Sequence, residues 1–192
     1  MSNELFQYIS IHDHQDRIDD LIELLNTQWN RSESSRRVMI EKSSEDLPYY
    51  LLMLDKSNDN KLIASCSMSK VIDCADDITT ITNQKSESIL IENVLVKKEY
   101  RRKGYGKLIL NELERIAISK GYKTFYLSTL DQKEFYLSNG YQLCEPLAAS
   151  KFTSSFINEE GLDKRSSLMR IFGGAGNQKK DSETVYWLSK NV

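Results

Sequence analysis

Proline is nearly absent from this chain of 192 residues: Pro48 and Pro146 are the only two. No segment can form a run of polyproline helix, so none can serve as a proline-rich ligand. Histidine is equally scarce. His12 and His14 stand close together with no third ligand in view, so neither a metal centre nor a Ser–His mechanism is expected. The cysteines, Cys66, Cys74 and Cys144, are odd in number and form no Cys-x-x-Cys pair. They read as reduced cytosolic thiols rather than a disulfide framework or zinc site. No apolar run approaches the length that crosses a bilayer. The opening Met-Ser-Asn-Glu-Leu-Phe-Gln lacks the basic and apolar regions of a secretory signal. A net charge of −2 argues against general nucleic-acid binding. The expectation is a cytosolic protein that uses no metal, membrane or nucleic acid.

What is present is an ordinary globular composition, 40% hydrophobic and 28% charged, with no Pro- or Ser-rich divider. A single domain over residues 1–192 is expected. Leu5 to Ile11 alternates like a strand. Asp13 to Trp29 carries apolar residues at 18, 21, 22, 24 and 25, the spacing of one helix face. Ser32 to Lys42 predicts a further turn or two of helix. Tyr49 to Leu54 and Lys61 to Ile72 predict a hairpin across the turn-rich Asp55 to Asn60. Asp73 to Ser86 reads as a polar loop. Ile89 to Val96 and Lys123 to Ser128 predict strands, separated by a helix from about Lys107 to Lys120, with Gly121 as its stop. A short helix contains Phe135-Tyr136. Residues 173–182 read as a flexible Gly/Asn/Lys linker before a last strand from Glu183 to Leu188.

The most informative segment is Arg101-Arg102-Lys103-Gly104-Tyr105-Gly106, which joins the Ile89 strand to the Lys107 helix. Its glycines let a ligand approach the main chain, and the helix start offers free N–H groups and the positive end of its dipole. From Lys97 to Lys107 six basic residues face one acid, Glu99. This pattern predicts a phosphate cradle. It is not a dinucleotide fingerprint, because Ile109 stands where the third glycine belongs, and it lacks the Gly-Lys-Ser/Thr of a Walker loop.

The loop resembles the Arg/Gln-x-x-Gly-x-Gly/Ala loop of the GNAT acetyltransferases. The order of strand, glycine loop, helix, strand, tyrosine-bearing helix and Gly-aromatic over about 87–146 resembles their coenzyme-binding core. The resemblance implies a mixed α/β (α+β) GNAT fold: a mostly antiparallel, twisted sheet of about seven strands flanked by four or so helices. It implies acetyl-CoA as co-substrate, held by Arg101, Arg102, Lys103, Gly104, Tyr105, Gly106 and Lys107. The backbone of Val94, Leu95 and Val96 would meet the pantetheine arm and acetyl oxygen. Gln132 would take over a contact made in many relatives by an asparagine, where this chain has Thr129. Tyr136 matches the tyrosine that protonates the departing thiolate; a phenol titrating near ~10 is suited to that task. Its other reading is a buried aromatic. Glu92 resembles a strand glutamate used as a base, and unbroken alternation would set it on the side of Val94 and Val96. Its other reading is a buried structural carboxylate.

A further likeness spans nearly the whole chain. Leu25-Asn26-Thr27-Gln28-Trp29-Asn30-Arg31-Ser32 with Ser35-Arg36 resembles the Trp-Pro-Arg-Ser segment of the actin N-terminal acetyltransferases. Ser128 to Tyr136, Asn139 to Pro146, Phe152-Thr153-Ser154 and Tyr186-Trp187 agree with it. The implied substrate is the acidic N-terminus of processed actin, met by Arg31, Arg36 and Arg37, with Trp29, Val38 and Met39 beside the peptide. The animal enzymes carry a proline-rich insertion that engages profilin. With only Pro48 and Pro146 here, profilin stays open as a partner but polyproline docking is not expected. Two other readings stand beside this one: an acetyltransferase of a small cationic amine, which would want an acidic cleft, and a non-catalytic binding protein of the same fold.

Overall fold

The computed structural model describes residues 5–71, 87–147 and 184–192. The loop expected at 73–86, Cys74, the Phe152–Ser154 segment and the linker at 173–182 lie outside the described residues. Among the described residues the elements are β1 (Phe6–Ser10), α1 (Ile18–Asn26), α2 (Glu33–Ile40), β2 (Tyr49–Asp55), β3 (Lys61–Lys70), β4 (Ser88–Val96), α3 (Tyr105–Ser119), β5 (Thr124–Thr129), α4 (Lys133–Leu137), β6 (Gln142–Leu143) and β7 (Tyr186–Asn191). Short 3-10 turns precede α1 and follow β4. The seven strands run in the order β1-β2-β3-β4-β5-β7-β6. All the pairings resolved are antiparallel except β4 with β5, which is parallel. The mixed α/β expectation, with its crossover at the loop–helix unit, is what the chain adopts. Only β6, two residues long, had no forerunner in the sequence pattern.

The chain divides into two compact units: residues 1–69 with 91–121, and residues 70–90 with 122–192. In the first, Ile18, Leu21, Ile22, Leu24 and Leu25 are the buried face of α1. They join Ile9, Ile40, Tyr50, Leu52, Leu54 and Leu95 in one apolar cluster. Burying a residue such as Leu21 or Leu24 contributes about 1.5–3 kcal/mol, which is why a helix of only nine residues persists here. Ser32 caps α2 by accepting from the Ser35 N–H at 3.3 Å. On α3, Ile109, Leu110, Leu113 and Ala117 are buried. In the second unit Val71, Leu90 and Trp187 pack with Tyr126, Cys144, Leu147 and Val185.

One detail of β4 matters for everything that follows. Its parallel ladder with β5 covers Ser88–Leu90 against Thr124–Tyr126, and the strand then continues for six more residues. Asn93 adopts φ 55, a left-handed backbone that asparagine tolerates better than most residues. The unbroken alternation expected for Glu92, Val94 and Val96 therefore does not hold, because a left-handed residue inside a strand resets which face the next side chain takes. The turn is held in place by side chains. Asn93 Nδ2 donates to Ser67 Oγ at 2.8 Å, and Ser67 Oγ donates to the Glu92 carbonyl at 3.3 Å. Asn93→Gly, which keeps the backbone and loses the amide contact, is expected to cost about 1 kcal/mol in a urea melt. Asn93→Val adds left-handed strain and is expected to cost roughly 2–3 kcal/mol. Equal stability of the two variants would remove the conformational argument.

Candidate active site

The predicted cradle has the expected backbone. Gly104 caps α3 at φ 86, and Arg102, two residues before it, also turns left-handed at φ 60. The first intrahelical bond of α3 runs from the Leu108 N–H to the Gly104 carbonyl at 3.2 Å. The N–H groups of Tyr105, Gly106 and Lys107 thus precede the ladder and point out of the helix start. A Cβ placed on Gly104 would meet nothing within 4 Å, so the space above the loop is open to a ligand. The helix begins two residues earlier than the sequence indicated, which draws Tyr105 and Gly106 into its first turn.

The basic side chains are not equivalent. Arg102, Lys103 and Lys107 are exposed. The Lys103 ammonium lies 5.5 Å from the Tyr100 ring centroid. Arg101 turns backward, donating from Nε to the Val96 carbonyl at 2.9 Å and from Nη2 to Gln28 Oε1 at 3.1 Å. It ties the end of β4 to the segment after α1. Val94 and Val96 are half-buried and Leu95 is buried in the apolar cluster.

Beside the left-handed turn lies a polar group that the sequence did not reveal as a unit. Ser65, Ser67 and Ser69 alternate along β3 at 1%, 2% and 5% exposure. Ser69 Oγ donates to Glu92 Oε2 at 2.7 Å. Tyr50, buried and paired across from Ser67, has its phenol pushed up by burial first and then by the Glu92 charge. Burial also raises the Glu92 carboxyl above the ordinary carboxylate range, opposed by the Ser69 hydroxyl and then by the positive charge of Arg31. A carboxyl moved toward neutrality, with a fixed hydroxyl and a nearby guanidinium, is equipped to take a proton.

The three arginines of the α1–α2 region part company. Arg31 is exposed, and its Nη1 reaches Met39 Sδ at 3.6 Å. Arg37 pairs with Asp19 on the surface. Arg36 is only 6% exposed and is committed inside the protein, to Asn26 Oδ1 at 2.8 Å and to the Trp29 carbonyl. Arg36, expected to meet a peptide, is a buried guanidinium with Nε and Nη2 both engaged, the geometry of a clamp. Trp29 and Val38 are exposed, at 42% and 50%, and Met39 is half-buried.

Tyr136 and Gln132 belong to the second unit. Tyr136 is buried on α4, edge-on to Phe135 and Tyr141 with ring centroids 5.0 and 5.7 Å away. Gln132 is exposed at the start of α4. Its N–H donates to Thr129 Oγ1 at 3.1 Å, and its Nε2 donates to Asp131 Oδ2 at 3.0 Å.

Comparison with known proteins identifies the family. The profile of the acetyltransferase (GNAT) family matches residues 18–141. The chain belongs to that family. N-alpha-acetyltransferase 80 of Mus musculus is 31% identical over 136 residues, which is 69% of this chain and 40% of the relative, so the chain spans less than half of that protein's length. The ribosomal-protein-S18-alanine N-acetyltransferase of Escherichia coli superposes with a TM-score of 0.61 at 11% identity, covering 98% of this chain and 94% of that one. The PaiA N-acetyltransferase of Thermoplasma acidophilum, solved with coenzyme A, gives 0.56 at 16% identity over 97% and 99%. At these identities the solved structures establish the fold alone.

The titration of Glu92 is directly measurable. Ser69 and Arg31 both favour its charged form, so Ser69→Ala and Arg31→Gln are each expected to move its midpoint further up. Carbon-detected NMR of the labelled carboxyl follows it. A midpoint that stays put in Ser69→Ala would mean the hydroxyl does not hold the carboxylate.

Proposed function

We propose that this acetyltransferase is an Nα-acetyltransferase that moves the acetyl group of acetyl-CoA to the α-amine of an acidic protein N-terminus, with processed actin the first candidate, in the cytosol. The observation that carries this reading is that exposed Arg31 and the Ser69-bonded carboxyl of Glu92 lie in one unit, with the guanidinium favouring the charged form of the carboxyl. An acidic N-terminus presents a carboxylate beside an amine, the complement of that pair. The likeness to the mouse Nα-acetyltransferase supports the amine class. The loop supports acetyl-CoA: open space at Gly104, outward N–H groups and the exposed charges of Arg102, Lys103 and Lys107 suit a pyrophosphate.

In the reaction the neutral amine attacks the acetyl carbonyl, a C–N bond forms and the C–S bond breaks. Glu92 accepts the proton that the nitrogen sheds, and the departing thiolate takes one from a donor. An α-amine titrates at roughly 7.7–8.0 against about 10.4 for lysine, so an N-terminus needs little help from a base. Tyr136 is the proposed donor, on the strength of the family resemblance. Arg31 reads the acidic side chain behind the amine, while Arg36 and Arg37 do not face it. The deciding assay supplies acetyl-CoA with peptides beginning Asp-Asp, Glu-Glu, Met-Asp and Ser-Lys, and with spermidine. Highest efficiency on the acidic peptides is expected. Preference for spermidine would replace this reading with the small-amine one.

Two variants separate binding from chemistry. Gly104→Val places a branched side chain in a left-handed position, so acetyl-CoA affinity should fall in calorimetry. Tyr136→Phe should keep that affinity and lose turnover by roughly 10²-fold. Unchanged affinity in folded Gly104→Val would misplace the cradle, and full turnover in Tyr136→Phe would make the residue a packing aromatic.

Specificity is tested at Arg31. A hydrogen bond to a charged group is worth about 1.5–3 kcal/mol, so Arg31→Gln should cut efficiency on an Asp-Asp peptide at least ten-fold and spare an Ala-Ala peptide. The comparison belongs above the Glu92 titration, so that the change in its midpoint does not enter. Rising salt should erode the wild-type preference. Equal losses on both peptides would contradict acidic readout by Arg31.

A further inference from the structure

Arginine is seldom buried without a task, and Arg36 is the most buried basic side chain described, at 6% exposure on the eight-residue helix α2. Its Nε donates to Asn26 Oδ1 at 2.8 Å, and its Nη2 donates to the Trp29 carbonyl. Asn26 is the last residue of α1, and the same Oδ1 accepts the Arg31 backbone N–H at 3.2 Å. One guanidinium and one amide therefore fix the main chain at 26, 29 and 31. The side chains of this stretch go the other way: the Trp29 ring is 42% exposed and Arg31 is exposed. A stretch whose backbone is pinned from inside while its aromatic and cationic side chains stay accessible has its ordering entropy settled before a ligand arrives. Lysine would be a poor substitute, since its rotatable ammonium lacks the fixed spacing with which Nε and Nη2 meet Asn26 and Trp29.

From this arrangement we infer that Arg36, with Asn26, is a positioning pair for acceptor recognition: it never touches the acceptor, and it sets acceptor affinity by holding Trp29 and Arg31 in place. The inference rests on the reading above that this stretch meets the acceptor. Nearby Arg37 differs, since its partner Asp19 lies on the surface and its loss leaves nothing unpaired inside.

The test uses Arg36→Lys, Asn26→Ala and Asn26→Asp in the full chain. Asp at 26 keeps an oxygen acceptor for both Arg36 and the Arg31 N–H, so it should retain wild-type behaviour. Arg36→Lys and Asn26→Ala should each raise KM for the Asp-Asp peptide about ten-fold, with kcat and the acetyl-CoA KM within about two-fold of wild type. The double variant Arg36→Lys/Asn26→Ala should be no worse than either single one. A second readout does not depend on the acceptor. Of the two tryptophans Trp187 is buried at 4%, so fast local depolarisation in time-resolved fluorescence reports Trp29. It should grow in Arg36→Lys and Asn26→Ala and not in Asn26→Asp. Were the wild type to refuse the Asp-Asp peptide, the acidic reading would fail, and the KM for the amine it does use, with the depolarisation, would still judge Arg36. Unchanged acceptor KM and depolarisation in folded Asn26→Ala would overturn the inference. So would a fall in acetyl-CoA affinity matching the loss for acceptor, or a failure of Asn26→Asp to restore either readout.

Discussion

The left-handed turn at Asn93 is the constraint on which the catalytic reading depends. A strand that kept its pleat from Ser88 to Val96 would carry Glu92 and Val94 on one face, as ordinary sheet. The turn breaks that face, and it exists because Asn93 tolerates φ 55 and because Ser67 bonds both its amide and the preceding carbonyl. The neighbouring hydroxyl of Ser69 then has the Glu92 carboxylate as its acceptor. Three buried serines in an apolar sheet would otherwise be a poor choice, since each buries a polar group that returns little net stability. Two of them are the support of one carboxylate and the turn beside it.

A second consequence concerns charge. Arg31, Arg36 and Arg37 look alike in sequence, yet they divide into an exposed side chain, a buried clamp and a surface ion pair. The clamp has the larger structural cost if lost, because the Trp29 carbonyl would lose its partner and Asn26 Oδ1 would keep only the Arg31 N–H, whereas an exposed pair such as Arg37–Asp19 is worth about 0–1 kcal/mol. The positive charge that bears on Glu92 is that of Arg31, ranked in its titration after burial and the Ser69 hydroxyl. On the roles proposed for Glu92 and Arg31, acceptor chemistry and acceptor recognition are electrostatically linked through a single side chain. A substrate carboxylate that neutralises Arg31 would weaken its hold on the Glu92 charge and make that carboxyl a stronger base as the acidic N-terminus arrives.

Much of this was legible in the sequence. The apolar spacing of α1 and the strand–loop–helix–strand order are strong local signals, because they reflect burial periodicity and backbone needs that no tertiary contact has to rescue. The backbone of the loop before α3 was legible for the same reason: glycine marks a left-handed position. What was not legible required partners distant in sequence. Ser69 meets Glu92 from 23 residues away and Gln28 meets Arg101 from 73. Two weak signals were there to be used. Serine at every second position from 65 to 69 is unusual in a strand flanked by apolar runs, and an asparagine in the middle of Leu-Ile-Glu-Asn-Val-Leu-Val breaks β propensity without a turn nearby. The distinction between Arg36 and Arg37 had no sequence signal, since burial on a short helix depends on what packs against it.

The central claim is that the protein holds coenzyme A and an acidic N-terminus together, with the acid read by charge. A conjugate in which coenzyme A is joined through an acetyl bridge to the α-nitrogen of an Asp-Asp peptide tests it most directly, against the same conjugate built on Ala-Ala. Calorimetry on the full chain should find the acidic conjugate bound at least ten-fold more tightly, about 1.4 kcal/mol, with the gap closing as salt rises. Equal affinity for the two, at low salt and with both far above coenzyme A alone, would contradict acidic recognition and leave an acetyltransferase with a different acceptor.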